Sequence, residues 1–332
     1  MSDLRVAIIG LGKMGLVHAS ILNTMPNVNI VGICDKSYLL LRLIKKLFRT
    51  ARAVDDVKKL AELDINSVYV TTPIPGHHPV IKTLLSKRIA ENIFVEKTLA
   101  SDLNKSEELC RLVQDIDGVN MVGYMKRFSV TFAEAKRKLD EGVLGNIVSF
   151  DSYAYSSDFS RVKFGSLKSD SRGGVLSDLG SHVIDLALWF FGDFLVETAS
   201  LKSIIGGNWE DSVDFTVAKS GLTGNFHVSW CMDQYRLPSF GLRIEGDGGT
   251  MEVSDYFVKL DLVNHESKIW YKHDLNDHVA FLLGESEYCR EDEVFVNSVL
   301  TGVNAEPSFR TGSRVDKIID QVKKLGKWDG LK

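Results

Sequence analysis

The sequence predicts an α/β protein in two parts: a doubly wound parallel sheet, then a second α/β domain built on an open, mostly antiparallel sheet. Three observations predict it. Short apolar runs alternate with helical stretches from Val6 to Tyr124, the first run ends in the glycine-rich segment GLGKMG, and beyond Tyr124 the pattern shifts to a run of strands joined by turns. Strands separated by helical patterns of this length imply right-handed crossovers and a parallel sheet. The boundary falls near Tyr124, giving domains 1–123 and 124–332, and a chain of this length is expected to hold two.

Val6 to Ile9 reads as a strand buried on both faces, and GLVHASILNTM after it has helical spacing. The next run, IVGICD, ends in Asp35, 20 residues beyond Gly15. This is the dinucleotide-binding, or Rossmann, pattern. Gly10 permits the tight turn, Gly12 lets backbone amides approach a pyrophosphate, and Gly15 allows close packing of helix on strand. The helix start, with Lys13 and Met14, supplies the positive end that an anion needs. Asp35 would accept hydrogen bonds from both ribose hydroxyls and repel a 2′-phosphate, which favours NAD. Lys36, with Ser37 and Arg42 behind it, offers compensating charge and keeps NADP open.

The alternation continues through helical stretches at Tyr38 to Phe48 and Asp55 to Leu63, then the strand SVYVTT and the loop TPIPGHH. A helix from Pro79 to Lys87, the strand NIFVEK, a helix from Ser101 to Asp115 and the strand VNMVGY complete the half. Ligands of such sheets bind at the carboxyl ends of the strands. Gly10, Asp35, Thr72, Pro73, His77, Glu96, Lys97 and Tyr124 are therefore expected to line one cleft. Lys97 has a plainer reading as a surface lysine paired with Glu96, weakened because adjacent residues of a strand point to opposite sides.

The second half opens with a helix from Val130 to Glu141 and the strand NIVSFDSYAY. In GGVLSDLGSHVIDLALWFFG, Gly173 to Gly192, the residues Val175, Leu179, Val183, Leu186 and Trp189 form an apolar stripe of helical period. Asp178 and His182 then share one face, a turn apart. Burying such groups unpaired is costly, so they either satisfy each other or are functional. DFTVAKSGLTGNFHVSWCM, SFGLRIEGDGGTMEVSD and YFVKLDLVNHESKIWYK each read as two strands around a turn. Apolar residues on both faces predict helices on one side of this sheet and a second subunit on the other, as a homodimer or homotetramer. Helices around Glu291 to Leu300 and from Gly312 to Leu325 close the chain. The polar segment from Ser156 to Arg172 reads as a loop over the cleft or simply a solvated one.

Composition narrows the function. Hydrophobic content of 44% and charged content of 25% are those of a globular protein with full cores. A formal net charge of -4, with scattered lysines and arginines, gives no footprint for nucleic acid. Cys34, Cys110, Cys231 and Cys289 lie far apart without CxxC spacing, which argues against a disulfide framework and against a zinc site. HDLNDH, from His273 to His278, lacks the spacing and the cysteine support of a metal site, and no metal is expected. No apolar run reaches membrane-spanning length and MSDLRVAIIG carries no leader features, so a cytoplasmic protein is expected.

With these residues in place, the sequence resembles the glucose-fructose oxidoreductase, inositol dehydrogenase and rhizopine catabolism (Gfo/Idh/MocA) family of NAD(P)-dependent oxidoreductases over essentially the whole chain. The resemblance rests on GLGKMG with Asp35, on TPIPGH with Thr72, Pro73 and His77, and on EKT at Glu96 to Thr98, where the family usually has Glu-Lys-Pro. It rests also on GYMKRF at Gly123 to Phe128 and on GGVLSDLGSHVIDL, which supplies Asp178 and His182. The resemblance implies a dinucleotide fold, a second domain whose open sheet serves oligomerisation, and a lysine, an aspartate and a histidine at the substrate. In that reading His182 is the general base in oxidation and acid in reduction. Lys97 stabilises the reacting oxygen, and Asp178 orients the imidazole or binds an adjacent hydroxyl. Tyr124 and Arg127 meet substrate or serve as hinge and salt bridge; His77 meets the cofactor or ties its loop; Asp185 is a structural partner. The implied activity is hydride transfer between a nicotinamide and a secondary alcohol or ketone of a sugar, nucleotide sugar or cyclitol. Two further readings are an NAD-dependent glycoside hydrolase and a cofactor-binding sugar sensor, against which the presence of Lys97, Asp178 and His182 together argues.

Overall fold

The computed structural model describes residues 3–157, 173–205, 208–275, 277, 279 and 285–329. The chain forms two compact units, one of Met1–Met125 with Val279–Asp316 and one of residues 126–278 with Lys317–Lys332. The sequence boundary allots 124–332 to a single domain, whereas residues 279–316 return to pack with the first unit.

The first unit begins β1 (Leu4–Ile9), α1 (Lys13–Leu22), β2 (Val28–Cys34), α2 (Tyr38–Ile44), β3 (Arg52–Val54) and a 3₁₀ turn at Val57–Glu62. It continues β4 (Ser67–Val70), α3 (His77–Ser86), β5 (Asn92–Glu96), α4 (Leu103–Val113) and β6 (Asn120–Gly123). All six strands are parallel, in the order β3-β2-β1-β4-β5-β6. Strand order therefore reverses between β1 and β4, the crevice where dinucleotides bind in such sheets. Burial on both faces explains the unbroken apolar runs: Ala7, Ile8, Val68, Tyr69, Val70, Ile93, Phe94 and Val95 are inaccessible to solvent. The helix read to Phe48 stops at Ile44, and the stretch read as helix from Asp55 winds as 3₁₀ instead.

The second unit contains α5 (Val130–Asp140), β7 (Ile147–Tyr155), a π-helical turn at Leu176–Gly180 and α6 (Ser181–Phe191). Its sheet adds β8 (Leu195–Lys202), β9 (Ser212–Lys219), β10 (Leu222–Ser229), β11 (Ser239–Gly246), β12 (Gly249–Ser254), β13 (Phe257–Leu262), β14 (Lys268–Tyr271) and β15 (Lys327–Asp329). The nine strands run β14-β13-β12-β11-β7-β10-β9-β8-β15, antiparallel except for the β7/β10 and β8/β15 pairs. One face packs on α6 through β7 and on α5 through β12 and β13, and Phe150, Ala154, Phe226, Val228, Leu242 and Ile244 are buried.

The other face is not the apolar surface the sequence predicts. Outward positions on β7, β9 and β10 alternate cleanly with the core positions. They carry polar pairs such as Asn225 donating to Asp151 at 2.7 Å and His227 with Asp214 at 2.8 Å, and between β11 and β12 Arg243 donates to Glu252 at 3.0 Å. The pattern looks loose at the start of β11 because Gly241 is buried against the ring of the outward Tyr153.

Two last helices follow, α7 (Ser286–Thr301) and α8 (Phe309–Leu325). Both begin earlier than their apolar periodicity indicates. In the first unit α7 packs against α1, and Gly312 of α8 lies against Leu99 and Val122. Residues 158–172, read as a loop, lie outside the described residues.

Candidate active site

In the first unit the glycines meet the requirements of a nucleotide loop. Gly10 follows β1 with φ +96°, and a side chain there would run into the Thr71–Thr72 backbone at the end of β4. A Cβ on Gly15 would overlap the Gly10 carbonyl, so α1 seats on the turn only without one. That carbonyl also accepts from Thr71 Oγ1 at 2.6 Å. Gly12 differs: a Cβ there would meet nothing within 4 Å, and no side chain caps α1 at its start. Uncapped amides facing open space at a helix N-terminus form a cradle for a pyrophosphate. Lys13 is exposed beside it and Met14 is half-buried.

Asp35 closes the same loop. Its Oδ2 accepts from Leu11 N and its Oδ1 from Ser37 N, both at 2.7 Å. Two backbone donors fix the carboxylate at the end of β2, and each oxygen keeps a lone pair for a ribose hydroxyl. Lys36 is exposed next to it. Thr72 Oγ1, at the end of β4, is buried without a partner among the described residues. The open cradle, the fixed acid and the orphaned hydroxyl together fit a dinucleotide.

His77, for which the sequence leaves open a cofactor contact or a loop tie, bonds two loops. It is fully buried, with Nε2 at 2.8 Å from the Thr72 carbonyl and Nδ1 at 2.8 Å from that of Thr98. Burial pushes its pKa below the ordinary range, against the hydrogen bonds to the two carbonyls. Pro73 opens the same loop, its carbonyl accepting from Gly76 N at 2.7 Å. Lys97 is half-buried beyond β5, and its bond to Thr98 is cis. The Glu96 side chain is buried, and its Oε2 accepts from Lys97 N at 3.2 Å. Tyr124 is fully buried at the end of β6.

In the second unit, Gly174 at φ +89° leaves room for the Glu210 carboxyl, which a Cβ would overlap. Val175 N donates to the Glu210 carbonyl at 3.0 Å, and burial pushes the Glu210 pKa up. From this anchor Leu176–Gly180 winds as a π-helical turn rather than the regular helix predicted. A π turn holds more residues per revolution, so Asp178 and His182 come more nearly onto one line; such turns recur at functional sites. Asp178 is half-buried while its neighbours Ser177 and Leu179 are buried. His182 is 5% exposed, its ring edge-on to Phe240 at 5.3 Å.

Arg127 does not stand ready for a substrate. Its Nε and Nη2 donate to the two oxygens of Asp185, each at 2.7 Å, and its guanidinium lies over Trp189. Arg127 and Asp185 thus lock the start of α5 to α6, the salt-bridge alternative of the sequence reading.

Two buried cations escape sequence reasoning. Lys126, whose side chain is 2% exposed, donates to Asp255 Oδ1 at 2.8 Å and sits 4.9 Å from the centre of the same Phe240 ring that His182 touches. A lysine beside three apolar or aromatic neighbours in GYMKRF was the available signal. In the first unit, His18 of α1 is fully buried between Asp292 at 2.7 Å and Glu96 at 3.0 Å. Its only signal was a histidine on the core face of the helix.

Fold and loop together define an NAD-binding oxidoreductase. Residues 4–124 match the oxidoreductase family with an NAD-binding Rossmann fold, and residues 132–252 match the GFO/IDH/MocA C-terminal domain. The chain belongs to the GFO/IDH/MocA family. It is 24% identical over 236 residues to the NAD-dependent scyllo-inositol 2-dehydrogenase of Bacillus subtilis (strain 168), covering 68% of this chain and 67% of that one. To the inositol 2-dehydrogenase of Rhizobium meliloti (strain 1021) it is 22% identical over 320 residues, 93% of this chain and 92% of that one. Among solved structures, levoglucosan dehydrogenase in complex with NADH superposes with a TM-score of 0.87 at 21% identity, covering 98% of each chain. A 3-ketoreductase from Actinomadura kijaniata, in complex with NADP and TDP-benzene, superposes at 0.83 with 19% identity over 100% of each chain. The protein is an NAD(P)-dependent dehydrogenase acting on CH–OH groups, within a family of sugar and cyclitol dehydrogenases.

Proposed function

We propose that the chain oxidises one secondary alcohol of a cyclitol or sugar, with Lys97, Asp178 and His182 as the reacting and orienting residues. The observation that carries this reading is the π-helical turn, which lifts Asp178 out of an otherwise buried segment one turn from His182. Gly10, Gly12, Gly15 and the amides of Lys13 and Met14 hold the pyrophosphate, and Asp35 holds the ribose. When bound, NAD accepts the hydride. His182 takes the hydroxyl proton in oxidation and returns it in reduction. Asp178 orients the imidazole or binds the neighbouring hydroxyl. The Lys97 ammonium stands at the oxygen that gains negative charge, a fixed donor worth more there than in water. His77 ties two loops of the first unit, and Arg127 anchors α6 in the second.

Assembly into a homodimer or homotetramer belongs to the same reading. It is supported by the tyrosine cluster Tyr153, Tyr155 and Tyr235, with ring centres 5.1 and 5.2 Å apart along the sheet. Light scattering on the purified protein tests it, a monomer at working concentration being the contrary result. For the chemistry, inositols, free sugars, anhydrosugars and nucleotide sugars are screened for NADH formation. Accumulation of NADH with a polyol is expected. Hydrolysis of a glycoside without NADH accumulation would overturn the reading.

A further inference from the structure

The buried histidine of α1 has no part in the chemistry above, yet it is connected to it. Asp292 Oδ1 of α7 lies 2.7 Å from His18 Nδ1, and His18 Nε2 lies 3.0 Å from Glu96 Oε1. The other oxygen of Glu96 accepts from the main-chain N–H of Lys97 at 3.2 Å. Four residues from α7, α1 and the end of β5 thus make one hydrogen-bonded line that stops at Lys97. The first three are walled from water: His18 and Asp292 are inaccessible and Glu96 is 9% exposed. Tyr69, Phe94 and Tyr288 surround the imidazole, with ring centres 5.4, 4.9 and 6.1 Å away.

We propose that His18 is a positioning residue for Lys97, acting through Glu96. A neutral imidazole has one N–H and cannot donate to two carboxylates, whereas an imidazolium donates to both. Burial opposes the charge, but Asp292 first and then Glu96 outweigh it and hold the His18 pKa well above the ordinary range. The doubly held ring fixes the Glu96 carboxylate, which would otherwise turn toward water at the end of β5. Glu96 in turn fixes the backbone from which the Lys97 side chain projects. A core histidine needing only satisfaction would be served by one carboxylate; here the second lies one residue from the lysine. The inference rests on the assignment of Lys97 to the reacting oxygen, and its test is independent of turnover.

Amide exchange is followed by mass spectrometry in the full chain for wild type, His18→Gln, Glu96→Ala and Glu96→Gln. Glu96→Ala removes the acceptor, and exchange in the segment holding Lys97 is expected to rise at least about tenfold while α1 and α7 keep their protection. Glu96→Gln keeps an acceptor oxygen and is expected to stay within about threefold of wild type. NADH binding by His18→Gln is expected to stay within about twofold, because the pyrophosphate cradle is untouched. A ¹⁵N-histidine spectrum at pH 8 is expected to show an imidazolium signal that is absent in His18→Gln. Unchanged exchange at Lys97 in Glu96→Ala, exchange rising equally across α1 and α7, or no imidazolium at pH 8 would each overturn the proposal. If His18→Gln does not fold, the two Glu96 variants and the wild-type spectrum decide. Turnover of Lys97→Met separately tests the lysine assignment, so the two failures are distinguishable.

Discussion

Each unit opens a helix on glycines, and the two openings work in opposite ways. Before α1, Gly10 and Gly15 let turn and helix meet at backbone distance, and Gly12 leaves bare amides facing open space. The function there lies in side chains that are missing. Before α6, Gly174 makes room for the buried Glu210 carboxyl, and the π turn that follows presents Asp178 and His182. The proposed function here rests on side chains added to a well-packed frame. A backbone site should therefore lose binding and packing together when altered, and a side-chain site should lose chemistry with its fold intact.

Four substitutions test this difference between the two helix openings. His182→Ala is expected to lower kcat by about 10² to 10⁴, the worth of a general base. Its circular dichroism and NADH affinity are expected to match wild type; turnover within about threefold of wild type would remove the distinction. Arg127→Ala removes both guanidinium donors from the buried Asp185, and breaking such a buried pair is expected to cost about 3–5 kcal/mol by denaturant unfolding. Unchanged stability with a raised KM would instead return Arg127 to the substrate. Gly15→Ala forces a methyl group into the Gly10 carbonyl, an overpacking of about 1–3 kcal/mol. It is expected to weaken NADH binding about tenfold in fluorescence titration; retained affinity would show that α1 shifts without consequence. Asp35→Ser removes the charge facing a 2′-phosphate and is expected to move the ratio of NAD to NADP efficiency toward NADP by about tenfold. No movement would mean that Lys36 already governs the choice.

Much of this was legible in the chain because the relevant signals are local. The GLGKMG loop, the acid at Asp35 and the alternating runs each occupy a few consecutive residues whose period or glycine spacing is set by geometry. Other features were hidden for definite reasons. In β8 the register shifts between Val196 and Thr198 and Leu195 faces solvent, so the period-two pattern of a strand is broken. β3 and β15 have three residues each, too few to show a period. The π turn keeps the apolar stripe of a regular helix, and its wider hydrogen bonding and extra residue per revolution leave no mark in the residue pattern. His18, Glu96 and Asp292 meet across 274 residues, and no window of sequence contains them. His77 and Arg127 carried functional motifs, yet their partners, two backbone carbonyls and Asp185, are what give them structural work.

The most direct test of the proposal that Lys97 and His182 serve one proton and charge transfer is a double-substitution cycle on kcat. With the polyol that forms NADH fastest, wild type, Lys97→Met, His182→Ala and the double variant are compared. Residues acting as one unit are grossly non-additive, so the double variant is expected to be about as slow as the slower single one. Losses that multiply in the double variant would mean independent roles and contradict the claim.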